Sequence, residues 1–160
     1  MDDEARTWHR KFGRALFNDC WDLIGSSSRD SDDDVEMLLC AAASRWHWSR
    51  VGGAEEIATG DWQIAHVASL LGLGDLALRF AERNLAIAAA EGWDGWRLAS
   101  AHEGMARAWA AAGDSARRAR HLEFGRQALD REEDAETRVA IAEQLDAVPE
   151  AAIPFGGPGT

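Results

Sequence analysis

Apolar side chains recur three and four residues apart along most of the chain, as expected for helices that bury one face. In the segment 95–112, for example, Leu98, His102, Met105 and Trp109 fall on one helical face. All three prolines lie in the last twelve residues, so no earlier position forces a helix to end. Alanine is abundant, which favours helix over strand. We therefore predict an all-α protein.

Glycines and short acidic or serine-rich stretches divide this pattern into seven antiparallel helices. The predicted helices span 4–24, 33–50, 54–71, 75–91, 95–112, 115–129 and 132–146. Residues typical of helix N-termini support these starts: a capping box of Asp33 with Glu36, and the N-caps Asp75, Asp94 and Asp114 or Ser115. We expect one domain over 1–148, followed by a flexible, Pro/Gly-rich C-terminal tail over 149–160.

Charge and the start of the chain exclude several classes of protein. The chain has 17 Lys and Arg against 28 Asp and Glu, a formal net charge of −11, which disfavours nucleic acid and anionic membranes as partners. No apolar run is long enough for a membrane span, and the start at Met1 lacks a signal peptide's basic and apolar segments. We therefore expect a cytoplasmic protein in which Cys20 and Cys40 are free thiols.

An internal repeat appears at an offset of 41 residues. It aligns Gly72 with Gly113, Trp62 with Glu103 and His66 with Arg107. The third and fourth helices therefore resemble the fifth and sixth, and the first two form a more divergent copy. Three stacked helical hairpins and a final helix are the predicted architecture.

Small residues around the repeat glycines resemble the tetratricopeptide-repeat pattern, most clearly at Ala65, Gly72 and Ala77. The second copy departs from it, because Arg118 stands five residues after Gly113 and the period exceeds the 34 residues of that family. More of the chain, over about 15–145, is similar to a widespread group of small bacterial tetratricopeptide-like proteins without an assigned activity. The matching positions are Phe17-Asn18, Trp21, Glu36-Met37-Leu38, His47-Trp48, Gly60-Asp61-Trp62-Gln63-Ile64 and Glu103 to Arg107. The resemblance implies a right-handed array of helical hairpins and supplies no reaction.

A polar set at those positions is the first candidate site. It consists of Asn18, Trp62, Gln63, His66, Glu103 and Arg107. In a hairpin array the first helix of each pair lines the concave surface, so equivalent positions converge on one groove. There Arg107 would clamp a carboxylate or phosphate, Trp62 would stack on a planar group and Glu103 would orient either. The alternative is an Arg107–Glu103 ion pair within one helix. We predict an interaction module that binds a peptide or another protein.

A second candidate comes from a different class of function. Glu36 and His47 share one stripe of the second helix, and Glu55 and His66 share a stripe of the third with Thr59 and Trp62. If these stripes enclosed a pocket, the chain would be a small helical enzyme or a sensor of a metal or small molecule. Metalloenzyme signatures such as HExxH are absent, so we predict no metal and no cofactor. The alternative roles are helix capping, solvation and helix contacts.

Four tryptophans near helix ends are the last candidates: Trp46, Trp48, Trp93 and Trp96. Tryptophan is enriched at protein interfaces, so this set would suit a partner surface or a homodimer. The alternative is that the four indoles close the ends of the core. Their exposure decides between these roles.

Overall fold

The computed structural model describes residues 1–150, and those residues form helices without strands. The helices are α1 (Asp3–Gly25), α2 (Ser31–Val51), α3 (Ala54–Leu70), α4 (Gly74–Ala90), α5 (Gly95–Ala111), α6 (Ser115–Leu129) and α7 (Ala135–Asp146). The all-α prediction is confirmed, and the number of helices agrees with it. Residues 151–160 of the tail predicted over 149–160 lie outside the described residues.

Aspartate caps set several helix starts, in two cases differently from the prediction. The N-cap of α2 is Asp30, whose carboxylate accepts from the amides of Asp32 and Asp33, while Asp33 accepts from the amide of Asp30 in return. The capping box predicted for Asp33 with Glu36 is therefore wrong, because the earlier aspartate completes the same motif. Similarly, α7 begins three residues late because Asp134 caps it. Asp94 and Asp114 cap α5 and α6 as predicted.

The start of α4 is fixed by backbone packing rather than by a carboxylate. Asp75 is not its N-cap, because the helix begins at Gly74 after Leu73. A Cβ on Gly74 would lie 2.9 Å from the Cα of Ala112 at the end of α5. Glycine thus permits a close approach of two helix ends, and α4 starts one residue early.

Each helix packs on the next one in the chain, and α3 also packs on α5, and α5 on α7. Neighbouring helices thus form hairpins, and α5 lies beside both α3 and α7. Three buried clusters fill it, each shared by consecutive helices. Cys20, Met37 and Ile64 represent the first, Ala68, Ala81 and Met105 the second, and Leu122, Leu129 and Leu145 the third. Small alanines between these larger side chains allow the helices to approach closely.

The two cysteines are free and buried at the α1–α2 contact. Burial, together with the neighbouring Cys40, raises the pKa of the Cys20 thiol to about 12, so it stays protonated at neutral pH. Within residues 1–150, no helix has the length and apolar character needed to cross a membrane.

Candidate functional site

A buried polar network joins α3 to α5. Glu103 is fully buried, and its two carboxylate oxygens have different partners. Oε2 accepts from the indole Nε1 of Trp62 at 2.8 Å, and Oε1 accepts from the Nε of Arg107 at 2.8 Å. A Cβ on Gly104 would come within 3.0 Å of Trp62, so glycine makes room for the indole. The network fixes the orientation of Trp62.

His66 lies beside this network in a small aromatic cluster. Its ring centroid is 5.4 Å from that of Trp62 and 5.5 Å from that of Trp21. Burial, aided by the positive charge of Arg107, lowers the pKa of His66 to about 3. The imidazole is therefore neutral, and its buried Nδ1 has no partner among the described residues.

Three of the six predicted groove residues lie beneath the surface. Gln63 is fully buried and donates from Nε2 to the carbonyl of Phe17 at 3.0 Å, which ties α3 to α1. Glu103 and Arg107 are also buried, so their ion pair lies inside the protein and not on an exposed turn. Their predicted position on an open binding wall is wrong. Helical period alone does not distinguish a groove face from a face between helices.

An open cavity of about 190 Å³ lies next to the network, where α3, α5 and α7 meet. Trp62 from α3, Trp93 from the α4–α5 turn and Trp96 from α5 line it. The remaining lining residues are Glu55, Ala58, Thr59, Asn84, Arg97, Ser100, Ile141 and Gln144. Trp93 and Trp96 are half-buried and line this cavity, and Trp96 also packs against the third buried cluster.

A second open cavity of about 360 Å³ lies between α1, α2 and α3. It is lined by Arg14, Phe17, Asn18, Trp48, Glu55, Glu56, Thr59 and Gly60. Glu55 and Thr59 line both cavities, so the two are adjacent, and we call them together the odd-helix groove. Of the predicted site residues, Asn18, Trp62 and Glu55 line it.

The 41-residue offset connects the predicted Asn18 and Thr59 with two groove positions that sequence reasoning missed, Ser100 and Ile141. Starting from Asn18, it leads to Thr59, Ser100 and Ile141, and all four line the groove. Equivalent positions of successive repeats thus do converge on one surface. Applying the offset to Asn18, rather than to Trp62 and His66, would have found Ser100 and Ile141.

Two buried polar atoms of the first cavity have no partner among the described residues. Asn84 is 7% exposed, and its Nδ2 donates to the carbonyl of Ala58 at 2.7 Å. That bond fixes the orientation of the amide and leaves Oδ1 as an unpartnered acceptor. The Nε of Arg97 is an unpartnered donor. Both atoms are buried behind the surface of the cavity, so a ligand in the cavity does not reach them without a rearrangement of the side chains.

Arg97 is held in place from two sides. Its guanidinium lies 4.7 Å from the ring centroid of Trp96, and its terminal nitrogen is 3.2 Å from a carboxylate oxygen of Glu55. The ion pair links α5 to α3 across the mouth of the cavity. It neutralises Glu55, so this end of the groove carries little net charge.

The four residues of the predicted Glu/His pocket contact different partners. The carboxylate of Glu36 lies 3.9 Å from the Cys40 sulfur, and His47 Nδ1 lies 2.9 Å from His9 Nδ1. Glu55 pairs with Arg97, and His66 contacts the tryptophans described above. In the part of the chain that the structure describes, no three His, Cys, Asp or Glu side chains are placed to hold a metal.

Protein-family models, curated proteins and solved structures were all compared with the chain. None of them matches it. The geometry of the groove therefore carries the functional argument.

Proposed function

We propose that the protein is a tetratricopeptide-like interaction module that binds an extended segment of another polypeptide along the odd-helix groove. The observation that carries this proposal is the open groove itself, in which half-buried tryptophans lie beside polar side chains. Each peptide unit offers one N–H donor and one C=O acceptor, which Asn18, Thr59 and Ser100 can pair with along the groove.

Energetics favour a polar ligand with apolar side chains. Covering a polar side chain of the groove without replacing its hydrogen bonds to water costs about 1–3 kcal/mol, so a ligand that pairs with these side chains binds more tightly than a purely apolar one. Trp62, Trp93 and Trp96 provide an apolar wall for an anchoring side chain. Backbone recognition with one apolar anchor is the chemistry of peptide binding.

The length of the groove fits a short extended peptide. The lining residues come from α1 to α5 and from α7. Of these helices, α3, α5 and α7 pack in succession, and packed helices lie about 8–10 Å apart. Two such spacings give a length of at least about 16–20 Å, which accommodates about five or six extended residues at about 3.3 Å each.

Selection from a random displayed peptide library tests the proposal. Thr59 is exposed and lines both cavities, so Thr59→Trp blocks their junction without entering the core. Ala86→Trp adds the same bulk at an exposed position of α4 that does not line either cavity. Unchanged circular dichroism of both variants is the check on folding.

We expect the wild-type protein to enrich a convergent peptide motif with an aromatic or aliphatic anchor. Thr59→Trp should weaken the selected peptides at least about tenfold, while Ala86→Trp should leave their affinity unchanged. Failure to enrich any motif, or equal binding by both variants, contradicts the proposal.

A further inference from the structure

The face of α2 that looks into solvent carries an unpartnered apolar stripe. Val35, Leu39 and Trp46 are 60%, 57% and 50% exposed, and Ala42 between them is exposed as well. Their spacings of four, three and four residues place all four on one side of the helix. We call this set the α2 stripe.

The stripe belongs to a wider concentration of exposed apolar groups at the N-terminal end of the array. Eight large hydrophobic residues are exposed in the described part of the chain. Six of them lie on α1, on α2 or just before α1: Met1, Trp8, Phe12, Val35, Leu39 and Trp46. A concentration of exposed apolar side chains of this kind is typical of a contact site.

Two of the charges that flank the stripe have a two-fold arrangement. Asp32 and Arg50 are 18 residues apart, which is five helical turns, so both lie on the same side of α2. Each is nine residues from Ala41. Neither side chain forms an ion pair within residues 1–150, and the guanidinium of Arg50 lies over the ring of Trp46 at 4.8 Å.

This arrangement of charges points to a second copy of the chain as the partner that covers the stripe. If two copies of α2 pack antiparallel about a two-fold axis near Ala41, Asp32 of each copy faces Arg50 of the other. The same rotation places Val35 and Leu39 of one copy opposite the C-terminal half of α2 in the other copy, which carries Trp46. Ala42 and Ala43, at the centre, allow the helices to approach closely. We propose that the α2 stripe is the interface of a symmetric homodimer.

Dimerisation through this stripe leaves the odd-helix groove open. Trp48, two residues after Trp46, lies on the opposite side of α2 and lines the groove. The dimer would therefore present two grooves, and the two sites can be tested separately.

Sedimentation velocity from about 1 to about 200 µM, a range that detects weak dimers, provides the first test. Leu39→Glu places a charge in the stripe, and Val139→Glu does the same at a position of α7 that is equally exposed, at 60%. We expect a wild-type dimer whose dissociation constant rises at least about tenfold in Leu39→Glu and is unchanged in Val139→Glu. Circular dichroism checks that both variants fold.

Charge reversal tests the antiparallel register. Asp32→Arg and Arg50→Asp should each weaken the dimer, because each places two like-charged pairs in the interface. Mixing the two variants should restore dimers, since both pairs are then of opposite sign. A wild-type monomer throughout the range, which would leave the stripe to a different partner, overturns the proposal. So does a dimer that Leu39→Glu leaves intact, or charge variants that do not pair on mixing.

Discussion

Replacing Glu103 by Gln tests the buried network that orients Trp62. Glutamine has nearly the same shape, and its amide oxygen can still accept from the indole Nε1 of Trp62. The negative charge opposite Arg107 is lost, however, and Arg107 is only 8% exposed. Breaking a buried ion pair by removing one partner costs about 3–5 kcal/mol. Because the guanidinium keeps slight access to water, we expect about 3 kcal/mol.

A double-mutant cycle separates the ion pair from general packing effects. Arg107→Met removes the cation and keeps an apolar stem, so the variant Glu103→Gln/Arg107→Met has no uncompensated charge. We expect it to be less destabilised than the sum of the two single variants by about 2 kcal/mol.

Urea unfolding followed by tryptophan fluorescence and by circular dichroism measures the free energies of unfolding. For a domain of this size, about 3 kcal/mol corresponds to a fall in Tm of about 6–12 °C. A cost below about 1 kcal/mol for Glu103→Gln, or strict additivity in the cycle, would refute the reasoning.

Three further substitutions test other parts of the fold. Stability should fall as the pH drops from about 6.5 toward 3, because the unfolded chain protonates His66 while the folded chain, in which the pKa is about 3, does not. Protonation of this residue in the unfolded chain lowers the free energy of unfolding by up to about 1.4 kcal/mol per pH unit. Between pH 7 and pH 5, the urea midpoint of a His66→Phe variant should therefore fall less than that of the wild type. An equal fall in the two proteins would contradict this role of His66. Gly74→Ala should lower the free energy of unfolding in urea by about 1–3 kcal/mol, because its Cβ would meet backbone atoms. Gly25→Ala has open space around it and should change that free energy little. Equal effects of the two substitutions would contradict the packing of Gly74. The buried carboxylate of Asp61 pairs with Arg45. Asp61→Asn removes that charge and should lower the free energy of unfolding by about 2–3 kcal/mol, as measured by calorimetry. An unchanged Tm would contradict a stabilising role of this ion pair.

The helices could be predicted from the sequence because local signals decide them. The helical period of apolar side chains, the glycine breaks and the lack of proline before position 149 together predict all seven helices of the described residues. The observed starts and ends differ from the predicted ones by up to three residues. The shift at α2 arises because Asp30 and Asp33 are both good caps, and local sequence does not rank them. The shift at α4 depends on the approach of Gly74 to another helix, which no local pattern contains.

The site was only partly predictable. The repeat offset pairs Trp62 with Glu103, and the structure joins those two side chains by a hydrogen bond. The offset does not say whether the pair faces a groove or a neighbouring helix, and the structure places Glu103 inside. Asn84 lines the first cavity from α4 and donates to the carbonyl of Ala58 in α3, a tertiary contact without a sequence signal.

Binding of a polypeptide in the odd-helix groove is the central claim, and indole NMR tests it most directly. The eight tryptophans give eight indole N–H resonances, and their side chains lie in distinct places. On titration with a selected peptide, the signals of Trp93, Trp96 and Trp48, which line the groove, should shift with one dissociation constant. Those of Trp8 and Trp46, exposed elsewhere, should stay in place. Shifts confined to Trp8 and Trp46, or the absence of any shift at saturating peptide, would contradict the account.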